Sequence, residues 1–519
     1  MNARLSQLLK SRHGATLALV LLSGLTLFFG IWSLPFVGSD EPRYAEVARE
    51  MWANSDYISP KLAGRLWLEK APLLYWWQAF FYTIFGVSEF SARLPSALGA
   101  LGIVLGLRAV SRRAFGERAA LYVGIVAATT GMMIYLSHGA STDMTLCTMF
   151  SGAFLCLWLS ANSEKRAFAW TMACAAFVGG AMLAKGLIGP LLFILVGGIW
   201  RAWTRPDLRD FASDPTTVEA NSQPIKSAKT PAQRVMIFAA ALAVFVAVSA
   251  IWYAPVWIRH GQFFWEEFFV NQHFKRFSSN EYKHPQEPTF FLAILPLCAL
   301  PWTLWLIGAA RGFRALRPRL NRRDSLLSLA WVWAIVPIAF FSMSESKLPS
   351  YILPSFPAIA ILAGEALSRG VFLPRSWKPK WVAFGGAGFM VCLVLVAFLG
   401  YAPRSEDKLS TRSLCRVVAA QMRPGERATF LDLGKDYDPH FYLQGRVVAG
   451  LGKPGTGSHD TFVAERPIEL LPILRGEKTG SLIVFCKKSA APELEKESAF
   501  SAELIGEHPK MRAYRISAR

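Results

Sequence analysis

Two short runs concentrate the side chains that could do chemistry. Asp40-Glu41-Pro42-Arg43-Tyr44-Ala45-Glu46 follows directly on an apolar stretch, and Glu69-Lys70-Ala71-Pro72-Leu73-Leu74-Tyr75-Trp76 follows shortly after it. Charge at the point where a hydrophobic helix leaves a bilayer is costly unless it faces water or a partner, so such a cluster marks a functional site. Lys and Arg neutralise phosphate through charge-assisted hydrogen bonds that strengthen as water is excluded. A carboxylate can accept the proton of an attacking hydroxyl or oppose positive charge developing at an anomeric carbon. Aromatic rings suit the headgroup level and the apolar faces of a sugar. The mixture fits a substrate made of an isoprenoid tail, a phosphate and a sugar. Its lipid phosphate is a good leaving group once its charge is compensated. No Walker, Rossmann or kinase signature occurs.

The elements that position these runs are membrane helices. The chain of 519 residues is 53% hydrophobic and 18% charged, with 18 Trp and 37 Phe, and a mean hydropathy of +0.30. Apolar stretches suited to a hydrocarbon core of roughly 30 Å recur through the first four fifths of the chain. The expected spans are 15 to 36, 72 to 86, 91 to 110, 119 to 137, 143 to 161, 167 to 184, 186 to 203, 235 to 257, 289 to 309, 325 to 343, 351 to 368 and 381 to 401. The second is short and aromatic and reads equally as re-entrant. Asp40 reads as an N-cap, and Tyr44, Val47, Ala48 and Met51 at three- and four-residue spacing predict a helix lying along the membrane surface.

The net charge of +20 tracks the loops, which argues against nucleic acid as a partner. If 72 to 86 does not cross, the basic clusters from Arg4 to Lys380 all fall on one side, which the positive-inside rule makes cytoplasmic. The N-terminus is then inside, while the first loop (38–71) and the C-terminal tail are outside. Residues 1–401 form the membrane domain. Residues 402–519 form a small soluble α/β domain with strands at Ala428–Leu433, Val447–Gly450, Ser481–Cys486 and Met511–Ile516. Residues 207 to 234, rich in Ser, Thr, Pro and Gln, read as a linker. Cys415 and Cys486 lie where oxidising conditions permit a disulfide, although nothing in their spacing demands one.

With that topology the remaining polar residues gather on the outer face. The loops add His138 and Asp143, then Lys185, then His273, Lys275, Arg276 and His284, then Glu345, Lys347 and Tyr351. Each has a plainer reading. Asp40 or Asp143 can cap a helix, Lys70 or Lys185 can snorkel to headgroups, and a lone His is more often a hydrogen-bonding group than a ligand.

The Asp40–Glu46 and Glu69–Trp76 runs resemble the signature loops of polyprenyl-phosphate-sugar-dependent glycosyltransferases of the C-type fold. The nearest branch is the bacterial aminoarabinose lipid A transferases, with the protein O-mannosyltransferases more distant. The resemblance is strong in the first loop and extends to Ser137–Thr145, Asn271–Pro288 and Ser346–Pro354. It implies an all-α polytopic membrane protein of about 11–13 transmembrane helices with the small α/β domain appended. It further implies that Asp40 is the essential acid of the first loop and Asp143 the second acid near the cavity. Lys70 and Arg43 contact the donor phosphate, with Lys347 a further candidate, and Glu41, Tyr44, Tyr75 and Tyr351 line the substrate cavity. Glu69 and His273 resemble positions associated with a metal ion in the aminoarabinose branch, which makes a divalent metal ion the one candidate cofactor and leaves the need for it open. Ala71 stands where the family often has the first proline of a pair, and the chain has fewer spans than the aminoarabinose enzymes. These departures bear on the sugar more than on the reaction.

The expected activity is therefore inverting transfer of a sugar from a polyprenyl-phosphate carrier to lipid A or another envelope acceptor, on the periplasmic side of a bacterial inner membrane. A protein O-glycosyltransferase using a polyprenyl-phosphate hexose is the alternative within the class. A transporter or flippase predicts charges or breaks near the midplane in paired halves, and no internal repeat is visible.

Overall fold

The computed structural model describes residues 12–163, 165–204, 230–275, 286–313, 322–374, 376–433, 436–448 and 463–519. Among them, seven helices are long and apolar enough to cross a membrane, and nine if two bent pairs each count as one span. Two shorter apolar helices, His13–Phe28 and Ile188–Trp203, accompany them. The segment expected at 72 to 86 forms a helix of 13 residues, Leu73–Phe85, roughly 20 Å long and too short to cross. It follows Pro72 and stops at Gly86, whose φ of 76° ends the helix.

Several expected spans are refined by local chemistry. The first helix, Arg12–Ser23, ends in a π-helical stretch at Phe28, leaving residues 29 to 37 as a turn. The second bent pair, Phe290–Cys298 and Thr303–Ala310, folds by 117° around Pro301, which has no N–H to continue a helix. Its two ends nevertheless lie at opposite ends of the helical run Pro349–Ser368. Lys347 Nζ donates to Gln286 O at 2.7 Å at one end, and Gly308 lies against Val371 and Phe372 at the other. The pair is thus one broken span. The expected linker 207 to 234 lies mostly outside the described residues, but its last residues are helical. Thr230 and Gln233 form a reciprocal capping box at 3.1 and 3.2 Å that starts Pro231–Phe264.

The first loop builds a helix, Asp40–Asn54, followed by a small hairpin of β1 (Lys61–Leu62) and β2 (Arg65–Leu66). The helix buries Tyr44, Val47, Ala48 and Met51, as their spacing predicts. Its start is set by Arg93, which is 1% exposed near the beginning of Glu89–Phe115. Arg93 Nε and Nη2 donate to Glu41 Oε1 and Oε2 at 3.1 and 2.8 Å. Its remaining N–H groups donate to the carbonyls of Ile31, Leu34 and Pro35 at 3.2, 2.7 and 2.7 Å. Glu41 Oε1 also accepts from Ala140 N at 2.6 Å.

The tail carries a five-stranded sheet in the order β4-β3-β5-β7-β6, with β3 Ala428–Leu431, β4 Val463–Ala464, β5 Ser481–Lys487, β6 Phe500–Glu507 and β7 Met511–Ala518. β3 runs parallel to β4 and β5, while β7 is antiparallel to β5 and β6. Of the four expected strands three form, and Val447 makes only a single bridge to Ala428. β6 was not expected: its mixed, largely exposed pattern is that of an edge strand, which hides from a search for apolar runs. Cys415 and Cys486 are both free. The period of two puts Cys486 with Leu482 and Val484 on one face of β5, whereas Cys415 packs with Ile483 and Phe485 on the other, so the sheet separates them.

Removing Arg93 leaves Glu41 as a buried charge without its cation. Arg93→Met is expected to lower stability by about 3–5 kcal/mol, read as thermal unfolding of the detergent-purified protein. Adding Glu41→Leu should recover part of the loss. An unchanged melting temperature for the single variant would remove this pair as a determinant of the fold.

Candidate active site

Asp40 is the first residue of the loop helix rather than its cap. Ser39 holds the N-cap position and makes no side-chain cap bond, and the Asp40 carboxylate instead pairs one turn on with Arg43. The pair is asymmetric: the Asp40 side chain is 56% exposed and that of Arg43 12%. The Arg43 guanidinium is walled by three rings, with its carbon 5.0 Å from the Trp67 centroid, 5.3 Å from Tyr437 and 5.4 Å from Tyr44. Tyr44 is 4% exposed and lies 6.2 Å from Tyr75.

Three polar groups converge here without a hydrogen-bond partner among the described residues: Arg43 Nε, Trp67 Nε1 and Tyr75 Oη, all buried. Tyr75 Oη stands close enough to Arg43, Glu69 and Asp40 to feel their charges, and close to the Trp67 indole, without a bond of good geometry to any of them. Buried polar groups are almost always paired, so three orphans in one place call for a ligand rich in acceptor oxygens.

A second cluster lies beside it. The Asp143 carboxylate, in the first turn of Thr142–Asn162, pairs with Lys185 at the end of Ala167–Lys185. Ser141 Oγ donates to the Asp143 carboxylate at 3.5 Å, and Ser350 stands beside it. Lys185 Nζ sits 4.8 Å from the Tyr351 ring centroid. Lys70 acts electrostatically on Asp143, and Glu69 on Arg43 and Tyr75. The Glu69-Lys70 dipeptide therefore bridges the two clusters, and Asp40, Arg43, Tyr44, Glu69, Lys70, Tyr75, Asp143 and Tyr351 share one neighbourhood.

Three expected residues are engaged elsewhere. Glu41 turns inward to Arg93 and Ala140 N, so its oxygens position the loop instead of lining the cavity. Lys347 is 5% exposed, and its ammonium donates to Ser344 O and Gln286 O at 2.6 and 2.7 Å, closing a turn instead of facing a phosphate. His138 stacks on Phe398 at 4.7 Å and contacts the carbonyls of Phe29 and Ile134 at 3.0 and 2.8 Å. The His273 side chain, Arg276 and His284 lie outside the described residues, so the metal pair of Glu69 and His273 has only its first member on view. Among the described residues no three His, Cys, Asp or Glu side chains are grouped to hold a metal ion.

The tail contributes what the sequence did not announce. Its short helix Asp438–Tyr442 packs on the loop helix, bringing Tyr437 over Arg43. Phe441 meets Phe36 edge-on at 4.8 Å, and Tyr442 Oη donates to Glu89 Oε1 at 3.0 Å. Gly445, at φ +72°, lies so close to Arg49 and Glu46 that any side chain would strike them. Arg93 and Tyr437 were both missed. Arg93 had a signal, a lone charge in an apolar run; Tyr437 had none.

Both the fold and the sequence find relatives. The architecture is that of the C-type glycosyltransferases. It superposes on ArnT from Cupriavidus metallidurans bound to undecaprenyl phosphate with a TM-score of 0.77 at 23% identity, covering 97% of this chain and 98% of that one. AglB, an oligosaccharyltransferase from Archaeoglobus fulgidus, aligns with a TM-score of 0.52 at 12% identity over 91% of this chain and 69% of that one. Residues 69–212 match the family described as dolichyl-phosphate-mannose-protein mannosyltransferase. In sequence the chain is similar to the undecaprenyl phosphate-alpha-4-amino-4-deoxy-L-arabinose arabinosyl transferase of Pseudomonas aeruginosa, 29% identical over 381 residues, covering 72% of this chain and 62% of that protein. The enzyme of the same description from an Enterobacter species is 26% identical over 408 residues, covering 75% and 66%. The chain thus spans under two thirds of the length of the Pseudomonas relative. The C-type glycosyltransferase class expected from the first loop is supported by the fold and by these sequence matches together.

The folding of the tail has a pH signature. Burial, and then repulsion from Asp436, push Asp438 up to about 7, although Ser410 Oγ and Thr411 N donate to it. The folded state therefore holds a proton that the unfolded chain releases near the ordinary carboxylate value, so stability falls as pH rises from about 4 to 7 and is flat above. Asp438→Asn, which carries no charge to bury, is expected to flatten that slope and to raise the melting temperature at pH 8. An unchanged pH profile would sink the assignment.

Proposed function

We propose that this protein transfers a sugar from a polyprenyl-phosphate carrier to lipid A or another envelope acceptor, at the face where the first loop and the tail meet. The observation that carries the reading is the set of orphaned donors around Arg43, since a phosphate supplies the acceptor oxygens they lack. Arg43 and Lys70 hold the carrier phosphate, and the rings of Trp67, Tyr44 and Tyr437 keep water from the cation.

In the reaction the acceptor oxygen bonds to the anomeric carbon as the bond to the carrier phosphate breaks from the opposite side, so the configuration inverts. The electron pair leaves on the phosphate, where Arg43 and Lys70 offset the added charge. Asp40, open to solvent, orients the acceptor or takes its hydroxyl proton, and Asp143, held by Lys185, supports the sugar. An ionised phosphate acceptor needs no base, and Asp40 then acts by orientation alone. A divalent metal is not required by these steps; Glu69 is the described residue that would help hold one.

The protein is a multi-span membrane protein. In our reading it sits in a bacterial inner membrane with its N-terminus cytoplasmic. Residues 1–401 are the catalytic domain, and 402–519 lie with the first loop on the periplasmic side. Contact between the tail and the loop helix supports a shared side, and the basic clusters at the far helix ends support its orientation. A protein acceptor is the second reading, favoured by the family matched over residues 69–212.

Mass spectrometry of lipid A and envelope glycans from a strain lacking the protein tests the reading. Wild type should restore a defined sugar mass, and Asp40→Asn at equal abundance should not. A sugar lost from proteins instead of lipid would select the second reading, and full restoration by Asp40→Asn would remove the catalytic assignment. With purified protein, Lys70→Met should lower kcat/KM by about 10²–10³. Tyr437→Ala, losing about 1 kcal/mol of cation–π stabilisation, should raise the donor KM about fivefold with kcat little changed.

A further inference from the structure

A cavity of about 510 Å³ lies far from this site, lined by Arg113, Lys165, Arg166, Arg322, Trp158 and Trp170 among others. Its place follows from the helices that frame it. Thr142–Asn162 begins at Asp143 and ends at the cavity, roughly 28 Å away along its axis, which is about the thickness of a hydrocarbon core. Glu89–Phe115 likewise starts beside the first loop, near Arg93, and delivers Arg113 in its last turn. Arg322 opens Arg322–Ser342, which runs back toward Lys347. Three helices thus carry the cavity to the opposite membrane face, at the level where hydrocarbon gives way to headgroups.

The lining is chemically one-sided. Four cationic side chains converge, and no carboxylate lines the cavity among the described residues. All four are solvent-exposed, and none makes an ion pair or hydrogen bond with another described side chain. Trp158 is 1% exposed, and its indole N–H finds no acceptor. Positive charge with no opposing carboxylate among the described residues, plus an orphaned buried donor, calls for an anion with several acceptor oxygens. The two Trp side chains are of the amphipathic kind that settles at a membrane interface.

We propose that this cavity binds the phosphate-bearing headgroup of an anionic glycerophospholipid from the leaflet opposite the active site. The neighbouring lipid supplies the ligand at high local concentration, and basic pockets between helix ends are suited to such headgroups. The assignment is independent of the transfer reaction.

Native mass spectrometry of the delipidated full-length protein tests it, with phosphatidylglycerol, phosphatidylethanolamine and inorganic phosphate as probes. Wild type should retain phosphatidylglycerol about tenfold better than phosphatidylethanolamine. Arg113→Gln/Arg166→Gln/Arg322→Gln should abolish that preference with the melting temperature of the lipid-free protein unchanged. Trp158→Phe, which keeps the ring bulk and loses the donor, should weaken retention by about threefold. Should the triple variant prove unstable, Lys165→Gln, at an exposed position, provides the same comparison with a smaller effect. Equal retention of the two lipids by wild type, or equal phosphatidylglycerol retention by wild type and variants, would overturn the proposal. Full displacement of phosphatidylglycerol by millimolar inorganic phosphate would also overturn it, making this a small-anion site.

Discussion

Arg93 uses all five of its guanidinium N–H groups in the interior, two on Glu41 and one each on Ile31, Leu34 and Pro35. A buried guanidinium is tolerated only when its charge is matched and every donor is met. Meeting those conditions here ties three segments together. The carbonyls fix the turn after the first helix, Glu41 fixes the start of the loop helix, and the Ala140 N–H on Glu41 fixes the turn that begins Thr142–Asn162. Asp40 and Arg43 stand on the second of these segments and Asp143 on the third. The relative placement of the two acid–base pairs therefore depends on one buried ion pair that touches neither.

The tail is held by a similar device. Arg412 donates to Glu89 Oε1 at 2.9 Å, to Glu406 Oε1 at 2.7 Å and to Ser33 O at 3.3 Å, so it binds the start of Glu89–Phe115, the last turn of the tail's first helix Ala402–Leu409 and the turn after the first membrane helix. Glu89 also accepts from Tyr442. Glu89 and Arg93 are one helical turn apart, so the same end of Glu89–Phe115 anchors both the loop helix and the tail. That shared anchor brings Tyr437 over Arg43. The third wall of the cation's cage comes from a domain whose own residues carry no motif.

Legibility followed the range of the interactions. The loop helix was readable because Tyr44, Val47, Ala48 and Met51 repeat at helical spacing, and β3, β5 and β7 because their buried faces are apolar. Asp40, Arg43, Glu69 and Lys70 were readable as a cluster because they lie close in sequence. Their grouping with Asp143, Lys185 and Tyr351 depended on helix packing that no local pattern encodes. Glu41 and Lys347 show the converse: a charged residue inside a recognisable run can serve the scaffold, and only its partners reveal that. The cap assigned to Asp40 failed because Arg43, one turn later, competes for the carboxylate. Tyr437 was invisible because its role exists only across the domain contact.

The pairing of charge in the site bears on how a donor would be received. Asp40 with Arg43 and Asp143 with Lys185 are each neutral as pairs, so together they add no net charge that burial must penalise. On the proposed reading, a lipid phosphate entering beside Arg43 competes with Asp40 for the same cation. Arg43 is the deeper partner and is fixed by three rings, whereas the Asp40 side chain is open to solvent. The carboxylate is therefore the group that moves, and on moving it is released from its cation to meet a sugar hydroxyl or the acceptor. Donor binding and release of the acid would then be a single exchange of partners on one guanidinium. The buried Nε of Arg43, which Asp40 leaves unmet, gives the phosphate a contact that the carboxylate does not make.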